Sequence, residues 1–114
     1  MQYKNTHSLE KRKNEADNII KMYPGNIPII LENKPDQNLP VLNKKKYLIP
    51  GEFTVGQFLF FIRKNMNIEK DKAVFLITNN TLPVNTSTID NIYKIHKDDD
   101  GFLYFLLCKE SVYG

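Results

Sequence analysis

The apolar residues of this chain fall into two kinds of run. Some recur at helical spacing, and others stand side by side over three to seven positions. Leu9, Ala16, Ile20 and Tyr23 are spaced as one helical stripe, with Ile19 on its shoulder and Lys11, Arg12 and Lys13 placed on the outer side. Ser8 is suited to cap that helix, and Pro24-Gly25 stops it. Residues 27–31 (IPIIL) have the β-branched content of a strand, and Pro28, which has no N–H, marks a position off the ladder. Residues 33–43 hold Pro35, Pro40 and a scatter of Asn and Asp, the chemistry of a loop. Residues 47–49 form a second short strand, ended by Pro50-Gly51.

Thr54 then opens a helix over residues 55–64, with Gln57 three positions on. This is the capping-box pattern, in which two backbone donors are satisfied reciprocally. Phe58, Leu59, Phe60, Phe61 and Ile62 follow in a row, and five such side chains cannot share one face at 3.6 residues per turn. Some cover a sheet, and the rest need a second apolar surface or a neighbour. Residues 73–78 (AVFLIT) suit a strand buried on both faces. Thr88 caps a short helix carrying Ile89, Ile92, Tyr93 and His96 on one stripe, and residues 102–108 (FLYFLLC) are the last strand. Between them, Asp98-Asp99-Asp100-Gly101 has the composition of a solvated turn. Two strands, a helix and two later strands make an α+β pattern: a β-grasp, with a mixed four-stranded sheet around one helix.

Residues 44–64 (KKKYLIPGEFTVGQFLFFIRK) organise the rest. A lysine run is a usual guard on an exposed sheet edge. An edge strand beside an apolar helix makes a groove, whose unpaired backbone groups and pockets are the equipment for binding a peptide by strand addition. The same residues also suit a guarded edge and an ordinary core helix.

Composition narrows the function. The chain has 114 residues, which is the size of one domain, and a net charge of +3, too small to indicate nucleic acid. Its single cysteine, Cys108, excludes an internal disulfide, points to a reducing compartment, and sits inside an apolar strand as a structural thiol does. There is no membrane-length apolar run and no secretory leader, so a cytosolic protein is expected. Catalytic candidates are scarce. His7 and His96 have no ligand spacing around them, the Asp98–Asp100 turn lacks the alternating ligands of a calcium loop, and no glycine loop cradles a phosphate. A binding or carrier protein is expected, with no enzyme activity, metal or cofactor. Gly114 is an unhindered acyl group, able to be activated as an adenylate and then a thioester.

Several stretches carry a resemblance: EKRKNEADNI, KMYPGNIPII, KKKYLIP, TVGQFLFFIRK and ESVYG, with weaker matches in TNNTLP and DGFLY. They make the chain resemble the GABARAP-type ubiquitin-like modifiers of autophagy over nearly its whole length. That resemblance implies a helical N-terminal extension of two helices over residues 1–24, a ubiquitin-like core over 25–108 and a flexible conjugation tail over 109–114. It implies covalent attachment through Gly114 to phosphatidylethanolamine, on autophagosomal membranes, of a protein otherwise cytoplasmic and monomeric. It implies recruitment of cargo receptors and adaptors with aromatic-x-x-aliphatic peptides, and handling by activating, conjugating and deconjugating enzymes. By motif, Glu15, Ile19, Pro28, Lys46, Leu48 and Phe102 would line the pocket for the aromatic anchor. Tyr47, Ile49, Pro50, Phe53, Phe58 and Phe61 would line the pocket for the aliphatic one. Lys44, Lys46 and Arg63 would meet acidic neighbours of the anchors. Asn26 and Asn65 stand where basic residues are frequent, and Gly101 where an aromatic occurs, which bears on ligand preference. The alternative is a non-lipidated protein modifier, or a soluble trafficking or tubulin-binding adaptor.

Overall fold

The structure is a computed structural model that describes residues 2–35 and 37–109. The chain runs α1 (Gln2–Thr6), α2 (Leu9–Met22), β1 (Asn26–Asn33), β2 (Lys46–Pro50), α3 (Val55–Met66), β3 (Phe75–Ile77), α4 (Ile89–His96) and β4 (Leu103–Cys108). The four strands form one mixed sheet in the order β2-β1-β4-β3. The pair β1–β2 is antiparallel, β1–β4 is parallel, and β3–β4 is antiparallel. This is the expected β-grasp arrangement, and β2 lies at an edge.

Strand alternation divides the molecule. Ile27, Ile29 and Leu31 of β1, Tyr47 and Ile49 of β2, and Leu103, Phe105 and Leu107 of β4 share one core with Val55, Phe58 and Ile62 of α3 and Ile89 and Ile92 of α4. The opposite face carries a smaller cluster of Tyr3, Ala16, Ile30, Phe102 and Tyr104, with Ile19 packed against it. Helices α1 and α2 therefore cover one face of the sheet, and α3 and α4 the other. Pro28 stands opposite Leu48 of β2 and precedes the pairing with β4, which starts at Ile29, so its missing N–H interrupts no β1–β4 bond.

Three helices begin on the caps expected for them. Ser8, Thr54 and Thr88 accept from the backbone N–H of Lys11, Gln57 and Asn91, and Thr54 N donates in turn to Gln57 Oε1 at 2.8 Å. Helix α3 ends at Asn67 in the left-handed conformation, φ 52°. It is two residues longer than the apolar run suggested, because Met66 packs against the core.

Other expectations need correction. Only Ala16 of the α2 stripe is fully buried, while Leu9, Ile20 and Tyr23 stay exposed. The face of α2 turned to the sheet side carries Arg12, Glu15, Ala16 and Ile19, because polar partners await there. Arg12 therefore points inward, with its side chain 12% exposed, and is not part of an outer basic face. The turn at Asp98–Asp100 is not simply solvated either, since Asp100 is 1% exposed. One Asp100 oxygen accepts from Phe102 N at 2.8 Å. The other accepts from Arg12 Nη1 at 2.8 Å and from the Tyr104 hydroxyl. Residues 73–78 yield only a three-residue strand at the sheet's other edge, with Phe75 half-buried and not enclosed on both faces.

Candidate functional site

Strand β2 is short, and β1 pairs one of its sides, leaving the other open at the sheet edge. Alternation sends Tyr47 and Ile49 into the α3 side and leaves Lys46 and Leu48 on the α2 side. An open backbone edge thus runs between two differently built flanks.

On the α3 flank, the Tyr47 ring meets Phe58 edge-on at 5.3 Å and Phe61 at 6.3 Å between centroids. Phe58 is fully buried and packs in turn on Phe105, so it forms a floor, as do Tyr47 and Ile49. The accessible apolar surface comes from Phe53, half-buried, and Phe61, 44% exposed. An open hollow of about 560 Å³ is lined by Phe53, Gly56, Gln57, Phe60, Phe61 and Lys64. Phe60 is 60% exposed, with the Lys64 ammonium 4.9 Å from its ring centroid. The sequence reading had not placed Phe60 here. Its distance of four residues from Gly56, on the same helical face, is the signal that could have found it.

On the α2 flank, Pro28 faces Leu48 and Ile30 faces Lys46 across the β1–β2 register. Phe102 is buried beside Ile30, and Ile19 packs on the same cluster. Lys46 Nζ reaches Glu15 Oε2 at 2.6 Å, linking β2 to α2, and Tyr3 OH donates to Glu15 Oε1. Burial pushes the Glu15 carboxyl up, but the bonds from Lys46 and Tyr3 outweigh it and hold the group below its ordinary value. The structure therefore brings Glu15, Ile19, Pro28, Lys46, Leu48 and Phe102 together on one flank, and Tyr47, Ile49, Phe53, Phe58 and Phe61 on the other. Pro50 stands at the end of β2, half-buried, where a larger hollow of about 1050 Å³ begins between Ile20, Asn26, Glu52 and Tyr93.

The charged residues differ among themselves. Lys44 Nζ lies 5.0 Å from the Tyr47 ring centroid and is exposed. Arg63 donates from Nη1 to Lys72 O and from Nη2 to Glu69 O, at 2.8 and 2.7 Å, so its guanidinium is held by the loop after α3. Asn26 borders the hollow at the end of β2, and Asn65 is exposed on α3. Gly101 adopts φ +93°, and a Cβ there would come within 3.0 Å of Ala16 Cβ, so a side chain would press on α2. Cys108 is buried, and burial raises its thiol above the ordinary value despite the charge of Lys34, which disfavours the nucleophilic thiolate. Gly114 lies outside the described residues.

The family model described as autophagy protein Atg8, ubiquitin-like, matches residues 11–114. This chain belongs to the Atg8 family. It is 44% identical over 112 residues to autophagy-related protein 8 of Mycosarcoma maydis, covering 98% of this chain and 95% of that protein. Its fold is similar to the crystal structure of Trypanosoma brucei ATG8, with a TM-score of 0.92 and 34% identity, covering 100% of this chain and 98% of the other. Plasmodium falciparum Atg8, solved in complex with a Plasmodium falciparum Atg3 peptide, is similar with a TM-score of 0.87 and 31% identity over 96% of each chain. The two helices ahead of β1 and the mixed sheet are thus those of an Atg8-type ubiquitin-like protein. Among the described residues no helix is long and apolar enough to cross a membrane.

Proposed function

We propose that this Atg8-family chain is a non-enzymatic modifier joined through Gly114 to phosphatidylethanolamine on autophagosomal membranes. The groove along β2 gathers receptors and adaptors there. The observation that carries the adaptor half is the open β2 edge, with exposed Phe61 and half-buried Phe53 on one side and half-buried Leu48 and Ile19, beside the Lys46–Glu15 pair, on the other. An added strand running along β2 would set an aromatic side chain among Glu15, Ile19, Pro28, Lys46, Leu48 and Phe102. An aliphatic one three positions on would sit against Tyr47, Ile49, Pro50, Phe53, Phe58 and Phe61. Lys44 and Lys46 attract acidic neighbours, and Arg63 adds a positionally fixed charge. Rim charges of this kind act mainly on association rate. The peptide bound to the Plasmodium falciparum relative supports a peptide ligand here, and makes an Atg3 segment one candidate occupant.

The conjugation half rests on Gly114 and the ESVYG match. Once its carboxyl group is free, partner enzymes activate it with ATP as an adenylate, releasing pyrophosphate. A thiol displaces AMP to give a thioester, and the ethanolamine nitrogen displaces the thiol to give an amide. The two acyl chains of that lipid suffice for stable anchoring where one would not. Many copies on one membrane then raise the effective concentration of bound receptors. The unconjugated protein is cytoplasmic.

Three experiments test this. Leu48→Ala is expected to weaken an aromatic-x-x-aliphatic peptide about thirtyfold, the equivalent of ~2 kcal/mol for an anchor-pocket residue. Unchanged affinity by calorimetry, in a folded variant, removes the pocket assignment. Deleting Gly114 is expected to abolish the phosphatidylethanolamine adduct in a reconstituted conjugation reaction and to leave peptide binding intact. Mass spectrometry of the membrane fraction separates the readings: a lipid amide on Gly114 supports this one, and an isopeptide branch supports a protein modifier. Full lipidation of the truncated chain would remove Gly114 as the attachment point, and a full chain that takes no lipid would point to a soluble adaptor.

A further inference from the structure

Helix α1 lies outside the groove, yet one of its side chains reaches the groove's charged wall. The helix is held in place by Glu32, whose two carboxylate oxygens accept from Gln2 N and Tyr3 N, each at 2.9 Å. Tyr3 is thereby fixed. Its ring stacks on His7 at 4.2 Å and meets Phe102 edge-on at 5.7 Å, and it is buried. From this position its hydroxyl donates to Glu15 Oε1, while Lys46 Nζ donates to Glu15 Oε2 at 2.6 Å and stands 5.1 Å from the Tyr3 ring centroid.

We infer that Tyr3, acting through Glu15, is a positioning residue for Lys46, and that it sets how strongly the groove favours ligands with an acidic residue beside the aromatic anchor. The inference rests on the peptide groove proposed above and goes beyond it, because Tyr3 belongs to neither pocket. One carboxylate here serves two donors. With Oε1 taken by the tyrosine hydroxyl, Lys46 is held through the other oxygen by a single bond. An ammonium has three donors, so two remain for a ligand carboxylate. The hydroxyl also disperses part of the Glu15 charge that a ligand carboxylate would face. Without it, both oxygens of Glu15 are open to Lys46. The pair then tightens, and the uncompensated charge of Glu15 repels an acidic ligand.

The test uses the full chain and two synthetic aromatic-x-x-aliphatic peptides that differ only in Glu or Gln next to the aromatic residue. Calorimetry gives the ratio of their affinities. The parent protein is expected to favour the Glu peptide. Tyr3→Phe keeps the buried ring and is expected to lower that ratio about threefold, the lower end of what one net hydrogen bond contributes, with the Gln peptide unaffected. Glu15→Gln is expected to raise the ratio, and adding Tyr3→Phe to it should change nothing further, because the relay is already cut. A purely structural role for Tyr3 predicts the opposite: both peptides weakened equally, and the same loss in the Glu15→Gln background. Either result overturns the inference and leaves the groove standing. Failure of the parent protein to bind either peptide overturns both. If Tyr3→Phe does not fold, Glu15→Gln decides alone: an unchanged or lower ratio overturns the inference.

Discussion

The two faces of the sheet are built on different physical principles. Under α3 and α4 the contacts are apolar, with Phe58, Phe105, Ile29 and Leu103 fully buried and interlocked. Under α1 and α2 the apolar cluster is small, and the helices are tied down by charge. Asp100 takes Arg12, Tyr104 and Phe102 N. Asp98 takes Lys4 and Asp100 N. Glu32 takes the start of α1, and Glu15 takes Tyr3 and Lys46. Apolar burial is non-directional and tolerates small displacements, whereas a network of this kind holds only one geometry and fails when a member is removed. The candidate groove lies between these two regimes, on the edge strand they share. Its α3 flank is a rigid aromatic floor, and its α2 flank has a polar wall whose shape depends on a helix docked by hydrogen bonds.

This comparison can be broken by substitution. Phe105→Ala, at the centre of the apolar face, is expected to cost about 3–5 kcal/mol of global stability by chemical denaturation, with every probe reporting one transition. Asp100→Ala leaves the Phe102 N–H and the Tyr104 hydroxyl without their acceptor, and should cost about 2–3 kcal/mol. Its loss of hydrogen-exchange protection should concentrate in residues 2–22. Equal loss across α3 would show that the two faces do not behave separately.

Acid gives the gentlest test. Burial raises the Asp98 carboxyl, but Lys4, the Asp100 N–H and Arg12 outweigh that and hold it below its ordinary value, as Lys46 and Tyr3 do for Glu15. A carboxyl with a depressed folded-state pKa contributes stability that is present above its unfolded value and lost as pH falls through the folded one. The contribution of α1 and α2 should therefore be complete above about pH 4–5 and fade below it. Exchange protection of residues 2–22 should fall there before that of α3. Simultaneous melting of both faces would end the distinction. Alkali should do little to the Tyr104 tie, because burial and then the neighbouring Asp100 keep that hydroxyl protonated well above its ordinary range.

The split between what was legible in the chain and what was not follows the same division. The capping box at Thr54 and Gln57, the short strand with its lysine guard, and the element order of the β-grasp are local features, set by neighbours within a few residues. The family likeness was legible in contiguous motifs. Tertiary structure alone decided the rest. Arg12 and Asp100 bond across 88 positions, so nothing near either residue announced that one member of a surface-looking lysine-arginine run would turn inward to meet one carboxylate of an acidic turn. Tyr3 and Glu15 are 12 apart, yet they meet only because Glu32, 29 positions beyond Tyr3, fixes α1 on the sheet. Local periodicity reports which side of an element is apolar. It cannot report which polar groups will find partners once two elements pack, because that pairing depends on the geometry of the assembled fold.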